Sequence, residues 1–114
     1  MAAVLVVEDN ADLCEMYEQI LAMRAHAVRT CGTAAEALAI LSSEPIDVVL
    51  LDLHIVGGAE GLAEAVRKGS KARLVLASGA RDLSERATAM GAADFLVKPF
   101  LPEQLLKTLD KVLG

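Results

Sequence analysis

Five residues of this chain combine reactive side chains with telling positions. Glu8 and Asp9 follow the apolar stretch AVLVV at 3–7, Asp52 follows DVVLL at 47–51, Ser78 ends RLVLAS at 73–78, and Lys98 follows DFLV at 94–97. A carboxylate that ends an apolar run is costly if buried and unnecessary if the segment is only core. Carboxylates crowded together repel and raise one another's pKa values, and each pKa unit is worth about 1.4 kcal/mol. A cluster of Glu8, Asp9 and Asp52 therefore demands a cation, either Lys98 or a metal. Mg²⁺ suits such a set: it binds through one or two carboxylates, keeps waters, and leaves positions for phosphoryl oxygens.

Whether these residues meet depends on the elements that carry them. The four apolar stretches, with a weaker one at HAVRTC (26–31), are short and nearly continuous in hydrophobicity, as strands buried on both faces of a parallel sheet are. Between them apolar residues recur at helical spacing: Leu13, Met16, Tyr17, Ile20 and Leu21; Ala34, Leu38 and Leu41; Leu62 and Val66; Leu83, Ala87 and Met90; Leu105, Leu106 and Leu109. Asn10 or Asp12, Thr33, Asp82 and Pro102 with Glu103 stand where helices start, while Pro45, Gly69 and Gly91 stand where they stop. The pattern is βα repeated about five times with short connections, an open α/β sheet. Right-handed crossovers make the first and third strands neighbours. All the strand-ending polar residues then share the carboxyl edge, where open parallel sheets bind ligands.

Composition sets the surroundings. A chain of 114 residues fits one domain, taken here as 1–114. Hydrophobic residues make up 54% and aromatics 3%, so the core must be aliphatic. With 16 acidic and 11 basic residues the net charge is -5, which disfavours a nucleic-acid surface. Cys14 and Cys31 lack metal-like spacing and read as reduced thiols on a helix face and a strand end. The opening MAAVLVVED has no basic leader and no membrane-spanning run, so the expected location is cytoplasmic, away from membranes.

VLVVEDN, VVLLDL, LVLASGA and ADFLVKPF, in this order and on matching strand ends, resemble the signature stretches of response-regulator receiver domains of two-component signalling. The resemblance spans the whole chain and is closest to stand-alone, chemotaxis-type regulators. It implies a flavodoxin-like (βα)₅ fold with strand order 2-1-3-4-5 and helices on both faces. It further implies that Asp52 accepts a phosphoryl group from a phosphohistidine on a sensor histidine kinase or histidine phosphotransfer protein. Glu8, Asp9, Asp52 and the backbone carbonyl of His54 would hold Mg²⁺. Lys98 and Ser78 would contact phosphoryl oxygens, and Ser78 and Phe95 would form the switch. The resemblance makes the domain a signalling unit rather than an enzyme, its chemistry confined to its own phosphorylation and dephosphorylation. The chain stops at Gly114 after the last helix, so no output domain is expected, and a downstream protein, or a second copy in a homodimer, would read the state by contact.

Plainer roles exist for each residue. Glu8 and Asp9 can cap the first helix, Ser78 and Gly79 can form a turn, and Phe95, beside Leu96 and Val97, can be core. Lys98 precedes Pro99, which holds it in an extended or turn conformation. His26 and His54 read as surface or satisfied residues rather than ligands, and Met16, Met23 and Met90 as helix-face fillers. The chain departs from the family after Asp52: Val56, Gly57 and Gly58 replace the usual proline at the fourth position. This predicts a more flexible loop, and His54 adds a bulky titratable group beside the reactive carboxylate. Two rival functions are a pseudo-receiver that is never phosphorylated and a flavodoxin-like nucleotide or flavin module using GGAEG as its phosphate loop. GGAEG matches no phosphate-loop spacing, and the acids at the same edge would repel phosphate.

Overall fold

The computed structural model describes residues 2–114. Five strands, β1 (Ala3–Val7), β2 (Ala27–Cys31), β3 (Val48–Asp52), β4 (Arg73–Ser78) and β5 (Asp94–Val97), alternate with five helices. These are α1 (Ala11–Ala22), α2 (Ala34–Ser43), α3 (Ala59–Gly69), α4 (Leu83–Ala89) and α5 (Pro102–Leu113). All strand pairs are parallel and the sheet order is β2-β1-β3-β4-β5, the flavodoxin-like arrangement that the family resemblance implies.

The continuous apolar runs serve two cores, because successive side chains of a strand point to opposite faces. Leu5, Val7, Val49, Leu51, Leu74 and Leu76 pack against α2, α3 and α4, while Val4, Val6, Val48, Leu50 and Val75 pack against α1 and α5. The central strand β3 is buried throughout. Truncating one of its leucines to alanine costs about 2–5 kcal/mol by lost burial and the cavity left behind.

Helix ends follow the local chemistry in part. Asn10 accepts the Leu13 N–H and Thr33 accepts the Glu36 N–H, satisfying donors that have no partner inside the helix. Gly91, at φ 70°, follows the last turn of α4 in the left-handed conformation that glycine tolerates. Asp82 precedes α4 but makes no capping hydrogen bond, and Gly69 is the last residue of α3 rather than a left-handed stop.

Three sequence expectations about packing are corrected. Leu38 is 41% exposed, and α2 buries Ala37 beside the expected Ala34, since a helix reading AAEALAIL offers more than one apolar face. Met23 is exposed at the end of α1. Val97 is 54% exposed because β5 is an edge strand whose last residue faces solvent.

Candidate functional site

The parallel register delivers the reactive side chains to one end of the sheet. β1 and β3 are paired up to Val7 and Leu51, so Glu8 and Asp52 emerge side by side. Both are buried, at 4% and 6% exposure, whereas Asp9 turns outward. Carboxylate oxygens of Glu8, Asp9 and Asp52 all lie within 4.8 Å of one another, an arrangement able to hold a metal ion.

Lys98 enters from the turn after β5. Its backbone N–H donates to the Ser78 carbonyl at 2.9 Å, which fixes where its side chain starts. The ammonium donates to Glu8 Oε1 at 2.7 Å and stands 3.7 Å from Asp52 Oδ1. Glu8 Oε2 also accepts the Asn10 N–H at 3.3 Å, and Asp52 Oδ1 accepts the His54 N–H at 3.3 Å. Burial pushes the Glu8 pKa up, and the negative charge of Asp52 adds to this; the Lys98 contact opposes the rise without cancelling it. Three carboxylates thus face one ammonium, an excess of negative charge that fits a hard divalent cation.

Ser78, fully buried, lies one residue beyond the β4 partner of Asp52, and its hydroxyl accepts the Ala80 N–H at 3.1 Å. Both turn and strand-end readings of Ser78 therefore describe the same residue. Phe95 is half-buried, pairs in register with Leu76, and packs against the α2–α3–α4 core. His54 is exposed beside Asp52. His26 lies away from this cluster and is half-buried; of the surface and satisfied readings it meets the second in part, its Nδ1 accepting the Ala2 N–H at 3.1 Å while its buried Nε2 has no partner among the described residues.

The loop after Asp52 is more firmly anchored than its glycines predict. Leu53 and Ile55 are buried, Val56 bridges Thr33, and the Val56 carbonyl accepts the Ala34 N–H at 3.0 Å. Gly57 and Gly58 take φ of 100° and 88°, which turns the chain into α3.

Sequence reading placed Tyr17 in the core and missed its position at the site. Its ring lies 5.8 Å from that of Phe100 and, with Leu13, Met16, Pro99 and Lys98, lines an apolar groove of about 350 Å³. Burial, and then the charges of Glu8 and Asp52, raise its phenol pKa well above the ordinary value. Helical spacing marked Tyr17 as inward-facing, but nothing in the sequence aimed it at the carboxyl edge. Cys14 was likewise read only as a free thiol, and its Sγ lies 3.2 Å from the Glu8 carbonyl.

A doubly covered parallel sheet with acids, a serine and a lysine gathered at its carboxyl edge defines a flavodoxin-like α/β domain with a polar site at its strand ends. Residues 4–110 match the family model of the response regulator receiver domain, and the chain belongs to that family of two-component signalling domains. The chain is 33% identical over 113 residues to a probable transcriptional regulator, ycf27, of Guillardia theta, covering 96% of this chain and 44% of that protein. It is 32% identical over 106 residues to the alginate biosynthesis transcriptional regulatory protein AlgB of Pseudomonas putida, covering 90% of this chain and 24% of that protein. The chain thus spans less than half the length of these curated relatives. Among solved structures it resembles the chemotaxis response regulator CheY4 of Vibrio cholerae, with TM-score 0.90, 32% identity, and 98% of each chain covered. The non-phosphorylated HemR receiver domain of Leptospira biflexa matches with TM-score 0.86 and 28% identity, covering 100% of this chain and 95% of that one. No helix among the described residues is long and apolar enough to cross a membrane.

Proposed function

We propose that Asp52 is the phosphoacceptor of a Mg²⁺-dependent receiver, charged by a phosphohistidine on a sensor histidine kinase or a histidine phosphotransfer protein. The observation that carries this reading is the triad Glu8, Asp9 and Asp52, with oxygens within 4.8 Å, answered by the single ammonium of Lys98. Bound there by these carboxylates and the His54 carbonyl, Mg²⁺ would supply positive charge to the transferring phosphoryl group.

The remaining work falls to the chain's own residues. An Asp52 carboxylate oxygen attacks phosphorus as the P–N bond of the phosphohistidine breaks; the imidazole nitrogen leaves with the electron pair and takes up a proton. The acyl phosphate so formed is labile, which suits a timed signal. Lys98, now bonded to Glu8, is near enough to Asp52 to turn its ammonium toward a phosphoryl oxygen. Ser78, while still accepting the Ala80 N–H, can donate its hydroxyl hydrogen to another such oxygen, drawing the attached Gly79–Ala80 turn inward. Phe95, only half-buried, then turns into the vacated space, and the face formed by α4, β5 and α5 reports the change to a downstream protein or a second copy of the chain. On this reading residues 1–114 act as one signalling domain of the cytoplasm.

Intact mass after incubation with Mg²⁺ and acetyl phosphate tests the proposal. One labile phosphoryl adduct is expected, absent from Asp52→Asn and from the metal-free sample. A folded, unmodified protein under every condition would instead identify a pseudo-receiver that acts by contact alone.

A further inference from the structure

The opposite, amino-terminal edge of the sheet carries a feature that phosphorylation at Asp52 does not use. Although the chain has a net charge of -5, the segment RKGSKAR at 67–73 holds four cations and no acid. Two of them, Arg67 at the end of α3 and Arg73 at the start of β4, line a cavity of about 320 Å³. Its other walls include Val66 and Leu74, both buried, with Ser70 and the Gly91 turn.

We propose that this cavity binds a small phosphate monoester, with the phosphate between the two guanidiniums and the organic part on the apolar wall. Arg73 forms no ion pair among the described residues. Arg67 has only a long contact to Glu64, 3.6 Å, and that carboxylate is already held by Lys68 at 2.9 Å. Two forked, weakly hydrated cations match the oxygens of a dianion better than those of a single carboxylate. Gly91 matters as well: a Cβ there would stand 3.1 Å from Arg67 Cδ, so the missing side chain lets Arg67 lie across the turn. The carboxyl end of α3 contributes roughly half a negative charge, which disfavours an anion, but the two guanidiniums lining the cavity outweigh it. The volume is at the lower end of the range of ligand pockets, about 300–1,000 Å³. The site lies at the far end of β4 from Ser78, ~16 Å away at strand rise, and does not depend on the Asp52 reading.

The test is an amide NMR titration in metal-free buffer at physiological salt, so that the acid cluster collects no phosphate. Inorganic phosphate and phenyl phosphate are the probes, against the wild type and the Arg67→Gln/Arg73→Gln variant, with Arg73→Gln alone as a milder variant and spectral dispersion as the check of folding. The expected result is saturable shifts at Ser70, Ala72, Gly91 and Ala93. Phenyl phosphate should bind at least tenfold tighter than inorganic phosphate, and the double variant at least tenfold more weakly than the wild type. Shifts that do not saturate, equal affinity for the two probes, or binding that survives both substitutions would overturn the site.

Discussion

At the scale of single residues, Lys98 is the group on which both structure and proposed chemistry converge. Among the described residues it is the one cation placed between Glu8 and Asp52, and Glu8 is almost wholly buried. Lys98→Met should therefore cut the rate of phosphoryl adduct formation about 10²-fold, the typical loss when one preorganised charge donor is removed, measured by mass against time. The same substitution leaves a buried carboxylate unpaired, so urea unfolding should show a loss of about 1–3 kcal/mol. Tyr17 offers a second residue-scale test, since it is the only tyrosine in the chain and phenolate absorbance reads it alone. Its folded pKa lies above the unfolded value of about 10. A raised phenol binds its proton more tightly in the folded state, so its contribution is intact below that pH and is lost as pH rises through the folded pKa. Phenolate should accordingly appear only together with alkaline unfolding by circular dichroism, and an earlier, separate phenolate step would contradict the buried placement. The positions of Glu8, Asp52, Ser78 and Lys98 were legible because each ends an apolar run. The partner that Lys98 selects was not, because a rotamer choice between neighbouring carboxylates leaves no trace in residue order.

At the scale of elements, strands were easier to read than helix faces. A strand buried on both sides needs an unbroken apolar run, and β3 has one; an alanine-rich helix such as α2 has several candidate stripes, and only packing selects Ala37 over Leu38. β5 was misjudged at Val97 because an edge strand is covered less completely than its neighbours. The entry to α3 gives a sharper case. Gly57 is at φ 100° and a Cβ there would meet the Ala34 Cβ at 3.0 Å, whereas Gly58, at φ 88°, has nothing within 4 Å. Gly61, inside α3, has ordinary backbone and open space around it. Gly57→Ala should therefore cost about 2–3 kcal/mol from strain plus overlap, and Gly58→Ala about 1–2 kcal/mol from strain alone. Gly61→Ala should stabilise by about 0.5–1 kcal/mol through helix propensity. Urea midpoints of the three variants test this order, and a harmless Gly57→Ala would show that the loop does not hold the turn described.

At the scale of the whole molecule, strand order decides where charge accumulates. Placing β1 between β2 and β3 brings Glu8 against Asp52, although 44 residues separate them in the chain. The fold thereby keeps a repulsive cluster whose full relief requires more positive charge than Lys98 supplies, so on the proposed reading metal binding and global stability are linked. A ligand that binds only the folded state stabilises it by RT ln(1 + [L]/Kd), about 1.4 kcal/mol when the free ion is tenfold above Kd. For a domain of this size that corresponds to a rise of roughly 5 °C in Tm. Mg²⁺ should produce such a shift in the wild type, chelation should reverse it, and Asp9→Asn should abolish most of it while leaving the metal-free Tm unchanged or higher, because one of the repelling charges is gone. Asp9 is the informative position: it is exposed and makes no ion pair among the described residues, so its loss removes a ligand without opening the core. An equal Mg²⁺ shift in wild type and Asp9→Asn would place the ion elsewhere, and no shift in either would leave Lys98 as the cluster's only counter-charge.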